Sequence, residues 1–316
     1  MKKIFIKPII LIIICIAYAF NCNAQWSTDP NIDNSLNATL AVSGPNETYC
    51  TDGHGGAIYS WMTNGTKGFE VYANRIDSLG NIRWGSSGVL LHSDSLTPVA
   101  TVNPSVCGDG NGGCYVAFTS NTISSHPIIC QHLDSNGVIL WGAQGKLITN
   151  TFPSQYYQAY PSLVNDNGKG VFITFYDNNN QSPNPGLYAQ RLNFKGAKQW
   201  GNYGSVIELA ADIRQPIAIS DGKNGIAVAW TNYGITGFNY QLRMNRLNHN
   251  GELQFTGGSE KINTIEGIGF GPFFRLILSK KKNYIIVWTS DAFSTTKVFS
   301  QKIDPLGNFL WGSSEI

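Results

Sequence analysis

Two acidic residues stand where the chain repeats itself least: Asp177, in FYDNNNQSP, and Asp291, in WTSDAFS. Two carboxylates about 5–10 Å apart in one pocket are the equipment for acid–base cleavage of a glycosidic bond. These two are therefore the positions to test for catalysis. Nearby stretches carry rings and amides suited to gripping a sugar or a peptide strand: Tyr156, Tyr157, Asn178, Asn179, Asn180, Tyr233 and Phe238.

Other chemistry finds less support. A basic column, Arg75, His132, Arg191, Arg246 and Lys302, precedes Asp77, Asp134, Asn193, Asn248 and Asp304 by two, so each pair shares a strand face. A catalytic group is needed once, whereas a residue present in every repeat serves the repeat, its charged stem covering apolar edges. The amides Asn74, Gln131, Gln190, Asn245 and Gln301 are expected to satisfy backbone groups between repeats. His54, His92, His126, His132 and His249 form no two-histidine metal spacing. The Asp-Gly loops lack the alternating oxygen ligands of a calcium loop, and no helix follows them to make a phosphate site. No metal and no cofactor is expected.

The elements that must position these residues come from a repeat. ANRIDSLGNIRWG (residues 73–85) returns as CQHLDSNGVILWG (130–142), AQRLNFKGAKQWG (189–201), MNRLNHNGELQFT (244–256) and SQKIDPLGNFLWG (300–312). The closing aromatics Trp84, Trp141, Trp200, Phe255 and Trp311 recur every 55–59 residues, and Trp26 precedes them in phase. A second column runs Trp61, Phe118, Phe175, Trp230 and Trp288. Such a period signals supersecondary units that bury a core only by stacking.

Each unit reads as four strands. Strand A is short, as in Pro104 to Cys107 and Pro161 to Val164, and a turn such as Asp52-Gly53 or Asp109-Gly110 follows. Strand B is apolar without alternation, which requires cover on both faces. Strand C alternates, and a turn with glycine at Gly80, Gly137, Gly196, Gly251 or Gly307 leads into strand D. The expected fold is all-β, a β-propeller of about five four-stranded blades with essentially no helix. Strands A, B and C occur five times and the D phrase six, so the ring is either closed with one surplus strand or incomplete.

Residues 1–24 have the layout of a secretory signal peptide: Lys2, Lys3 and Lys7, an apolar run from Ile9 to Phe20, then Cys22-Asn23-Ala24. The remaining domain, residues 25–316, keeps 19 basic against 20 acidic residues. It therefore offers no basic field for nucleic acid, and no membrane span is expected in it. Export into an oxidising compartment permits a disulfide, with Cys107–Cys114 or Cys114–Cys130 as candidates beside Cys50.

The phrase DGxGG, carried by Asp52 to Gly56, followed by [AS]QR[LI][DN]xxGxxxWG, carried by Ala189 to Gly201, resembles the tandem repeats of large β-propeller proteins exported by Bacteroidota-type bacteria. That resemblance implies an extracellular, cell-surface or periplasmic location. Members often end in a sorting domain for type IX secretion, and no such tail is expected here.

In an antiparallel blade the A–B and C–D turns share one end, and the B–C and D–A connections share the other. The repeated turns lie on the first end and the variable loops on the second, where function concentrates. The expectation is a non-catalytic binding or adhesin module that takes a glycan or an extracellular protein on its variable loops. The alternative is a carbohydrate-active enzyme of the glycoside hydrolase type, working through carboxylates on the same face.

Overall fold

A computed structural model describes residues 48–65, 68–93, 104–120, 126–148, 157–178, 185–233, 239–255, 258–266, 273–292 and 295–312. The leader and the copy of the phrase at Trp26 lie outside the described residues. Nineteen strands form five antiparallel meanders, and no helix occurs among the described residues. The first sheet holds β1 (Thr48–Thr51), β2 (Ala57–Gly65), β3 (Gly68–Ile76) and β4 (Val89–Ser93). The second holds β5 (Ser105–Gly108), β6 (Cys114–Thr119), β7 (Ile128–Leu133) and β8 (Lys146–Leu147). The third holds β9 (Gln158–Asn165), β10 (Gly170–Asp177), β11 (Gly186–Asn193) and β12 (Ser205–Leu209). The fourth holds β13 (Ile213–Ser220), β14 (Ile226–Tyr233), β15 (Asn239–Leu247) and β16 (Glu260–Glu266). Three strands are described in the fifth: β17 (Phe274–Leu278), β18 (Tyr284–Ala292) and β19 (Thr295–Ile303).

Each core is a joint between consecutive sheets. One face of β6, with Cys114, Val116 and Phe118, packs on the first sheet; the other, with Tyr115 and Ala117, packs on the third. This double cover is why β6 and β10 are buried along their whole length. The fourth and fifth sheets share the last core. On the fifth sheet Ile277, Val287 and Val298 are exposed, because no core among the described residues joins that face to another sheet.

The closing aromatic locks each sheet to the next. Trp84, Trp141 and Trp200 donate their indole N–H to the carbonyls of Ser135, Phe194 and His249 in the following sheet, each at 3.1 Å. A Cβ on Gly137 or Gly251 would come within 2.8 Å of the facing indole ring. Glycine here thus answers two demands at once, a φ near 80° and room for the ring.

The structure supplies the partners of the basic column and corrects the expectation about the amides. The basic residues do not pair along their own strand; they reach the carboxylate of the A–B turn. Arg75 Nε donates to Asp52 Oδ2 (2.9 Å), Arg191 Nε to Asp166 Oδ2 (2.8 Å), and His132 Nε2 lies 3.1 Å from Asp109 Oδ2. Arg246 stands 3.4 Å from Asp221. The C–D residue is occupied by its own turn: Asp77 Oδ1 accepts the N–H groups of Leu79 and Asn81. The amides act inside a sheet and not between sheets. Gln131 Nε2 donates to the Gly142 carbonyl, and the Gln131 side-chain oxygen accepts the His132 N–H.

The disulfide expectation is corrected too. All four described cysteines are free thiols. Cys114 belongs to the core between the first two sheets, whereas Cys107 and Cys130 belong to the one between the second and third. Both candidate pairs therefore lie on opposite faces of one sheet, out of bonding reach.

The first strands of the five sheets, β1, β5, β9, β13 and β17, touch one another in order. In the third and fourth sheets strand A runs for eight residues, longer than the sequence led us to expect. A bulge makes the extension possible. Pro161 and Pro216 have no N–H for the ladder, and the register shifts there, with residues 160 and 161 opposite Phe175 and residues 215 and 216 opposite Trp230. The residues before the prolines, Tyr160 and Gln215, take φ of 57° and 50°.

Candidate functional site

The variable end of the third and fourth sheets gathers the described polar and aromatic side chains with the most chemistry. Tyr157 enters β9 beside Asn178, donating its N–H to Asn178 Oδ1 (2.8 Å) and accepting the Asn178 N–H (3.2 Å). Its ring stands edge-on to Tyr176, centroids 6.1 Å apart. The Tyr176 hydroxyl donates to the Ala211 carbonyl at the start of the fourth sheet. Across that joint Arg214 Nε donates to Asp212 Oδ1 at 2.9 Å, and both side chains are substantially exposed. Burial, then the neighbouring Tyr160 and Asp212, push the Tyr157 phenol above its ordinary value, and Arg214 opposes them. Among these groups Arg214 and Asp212 are in direct contact with each other. Further out on the fourth sheet, Arg243 Nε donates to Glu208 Oε2 at 2.9 Å.

Asp177 is at the same end but on the other side of its sheet. It ends β10 on the face of Val171, Ile173 and Phe175, which packs on the second sheet. It is 4% exposed, and its Oδ2 accepts the Gln158 amide at 2.8 Å. Gln158 also accepts the Ile128 N–H (2.9 Å) and, on its main chain, the Thr119 hydroxyl (2.9 Å), both from the second sheet. Asp291 lies near the end of β18, opposite Thr296. It is three residues past Trp288, whereas Asp177 is two past Phe175, so the two positions are not equivalent. They belong to the fifth and third sheets. Tyr233 ends β14 opposite Tyr240. Tyr156, Asn179, Asn180 and Phe238 fall outside the described residues.

Sequence reasoning missed Tyr160, Tyr176, Asp212 and Arg214. The signal was present in the prolines: Tyr160-Pro161 and Gln215-Pro216 occupy the same place in successive repeats.

The opposite end, where the repeated turns meet, holds a cavity of about 490 Å³ lined by Cys50, Asp52, Cys107, Asp109, Asn165 and Asn167 among others. Its carboxylates are already engaged by Arg75 and His132. Burial, then Asp52 and Asp109, push the Cys50 thiol up to about 12, which leaves it a poor nucleophile. Among the described residues no three His, Cys, Asp or Glu gather as metal ligands, and no helix is long and apolar enough to cross a membrane.

No protein-family model and no curated protein matches this sequence. Among solved structures, a polysaccharide lyase of the PL25 family, an ulvan lyase, aligns with a TM-score of 0.52 and 12% identity over 92% of this chain and 71% of the lyase. An endo-arabinase from Bacteroides thetaiotaomicron aligns with a TM-score of 0.37 and 16% identity over 77% of this chain and 88% of that one. An endo-arabinanase from Bacillus licheniformis gives 0.39 and 14% over 84% and 98%. The fold is a β-propeller. At these identities the likeness concerns the frame and not the site. The expectation of a non-catalytic binding or adhesin module is corrected on this ground: the ulvan lyase that shares this frame is named as a polysaccharide-cleaving enzyme.

Proposed function

We propose that the protein is an exported enzyme that cleaves polysaccharide chains at the variable end of its third and fourth blades. The carrying observation is the chain of contacts from the Tyr157 ring to Tyr176, from the Tyr176 hydroxyl to the Ala211 carbonyl of the next blade, and so to the adjoining Asp212–Arg214 pair. A glycosidic bond breaks when one group gives a proton to the leaving oxygen and another takes one, from the attacking water in hydrolysis or, in elimination, from the sugar carbon that bears the carboxylate as a double bond forms. The Tyr157 hydroxyl is the proton donor available for the first task; the exposed Asp212 carboxylate suits the second. Arg214 holds Asp212 in place and offers a cation to an anionic sugar substituent. The ulvan lyase and the arabinan-degrading enzymes act as precedent for the substrate class only. The leader at residues 1–24 agrees with a substrate too large to enter a cell.

The test is a panel of ulvan, arabinan and xylan incubated with residues 25–316, with reducing ends and unsaturated products followed separately. Cleavage that disappears in both Asp212→Asn and Arg214→Ala supports the proposal. Cleavage that survives both variants, or no cleavage of any member of the panel, refutes it.

A further inference from the structure

Tyr160 and Gln215 hold one position in successive blades, directly before a proline and six residues before the turn carboxylates Asp166 and Asp221. Both have left-handed φ angles inside a strand. Every other left-handed residue described is a glycine or, as with Asn167, Asn224 and Lys282, lies in an A–B turn. Glycine is the residue that adopts this conformation without steric conflict. The bulge needs the proline; it does not need a side chain on the residue before it. Retaining a tyrosine and a glutamine against that preference points to work done by the side chains themselves.

Their surroundings fit such work. Strands β9 and β13 touch each other, and the two positions hold the same place in them. Gln215 is exposed, Tyr160 is half-buried with its side chain packed against the core between the third and fourth sheets, and Arg214 directly precedes Gln215 with Asp212 two residues further back. Resting on the polysaccharide reading above, we propose that these pre-proline side chains are sugar-contacting positions, one to a blade. The Tyr160 ring lies against the C–H face of one sugar, and the Gln215 amide bridges hydroxyls of the next. The proline fixes the frame while the residue before it is free to change, from tyrosine to glutamine here, so the blades can alter what they read without altering how they fold.

The experiment compares the wild-type chain with Tyr160→Gly and Gln215→Gly in affinity gels containing ulvan, arabinan or xylan, with cleavage and melting temperature measured alongside. The expected result is at least about tenfold weaker retention and a higher KM in each variant, with a melting temperature that holds in Gln215→Gly and falls in Tyr160→Gly by what its core packing contributes. Glycine variants that melt lower but bind and cleave as before would give the residues a structural role and overturn the inference while leaving the enzyme reading intact. Retention without cleavage in the wild type, lost in the variants, would uphold the contact positions and remove the enzyme reading. A wild type that neither binds nor cleaves any of the three would overturn both.

Discussion

Trp84 donates its indole N–H to the Ser135 carbonyl at 3.1 Å, and the same ring fills the space that a side chain on Gly137 would need. A Gly137→Ala substitution therefore meets two obstacles, a φ of 81° and a Cβ 2.8 Å from the indole. The expected loss is about 2–4 kcal/mol, from backbone strain and overpacking together. Gly53→Ala is the control: its φ is 77° but nothing lies within 4 Å of the added carbon. It should lose about 1 kcal/mol. Urea denaturation of both variants checks the difference, and equal losses would show that the ring contact contributes nothing.

The buried latch between turn and strand should be the costliest polar contact to break. Asp166 is 1% exposed and takes two bonds from Arg191, at 2.8 and 2.6 Å. Asp166→Ala strands a buried guanidinium and should cost about 3–5 kcal/mol. The fifth blade has Ser279 at the turn and Lys302 on the strand, so it makes no such pair, and Ser279→Ala should cost under about 1 kcal/mol. Chemical denaturation of the two variants orders them.

The repeat made most of this frame legible. Recurring aromatics and glycines gave the blades, their B strands and the two ends, because stacking has to satisfy the same contacts at every joint. The partner of the basic column was not legible from Arg75 and Asp77 alone. A spacing of two says which face a residue shares, and only the folded turn brings Asp52 to Arg75. The site was harder still. Asp177 drew attention as an acid in a variable stretch, but alternation along β10 turns it toward the second blade. Tyr160 and Gln215 matter through a backbone angle that their own side chains do not announce.

The four thiols of residues 25–316 should be silent in the native protein. Burial dominates the upward shift of each, and Cys50, the least enclosed, sits at about 12. At pH 8 the thiolate fraction of Cys50 is then on the order of one in ten thousand. A colorimetric thiol assay is expected to find essentially none in buffer and four in guanidinium chloride. Fewer than four after unfolding without reductant would reveal a disulfide that the fold described here does not contain.

Acid should weaken the joints in a defined range. Burial alone would raise Asp52, but the N–H groups of His54 and Gly56 and the Arg75 guanidinium outweigh it and leave the carboxyl below its ordinary value. Burial likewise opposes, and His132 with the N–H groups of Asn111 and Gly113 outweighs it, at Asp109. A depressed folded value stabilises the protein above the unfolded value of about 4 and loses that contribution as pH falls through the folded one. Denaturation midpoints should be flat from about pH 7 to 5 and drop below about pH 4. The deficit of Asp52→Asn relative to wild type should shrink over the same interval, and a constant deficit would mean that charge on Asp52 is not what holds the turn.

Asp177 and Asp212 are expected to part company on substitution. Asp177 is sealed in the joint with the second blade, where its Oδ2 accepts the Gln158 amide. An asparagine there still offers an oxygen to that amide, so Asp177→Asn should keep activity within a few-fold, while Asp177→Leu strands the buried Gln158 amide and costs about 1–3 kcal/mol. Asp212 is exposed beside Arg214, and Asp212→Asn removes the proton acceptor with little structural consequence. Its loss in kcat should be about a hundredfold or more, with the melting temperature held. Measuring kcat and melting temperature for the three variants assigns the roles: if Asp177→Asn is the variant that loses the activity while Asp212→Asn keeps it, the reaction runs between the second and third blades instead.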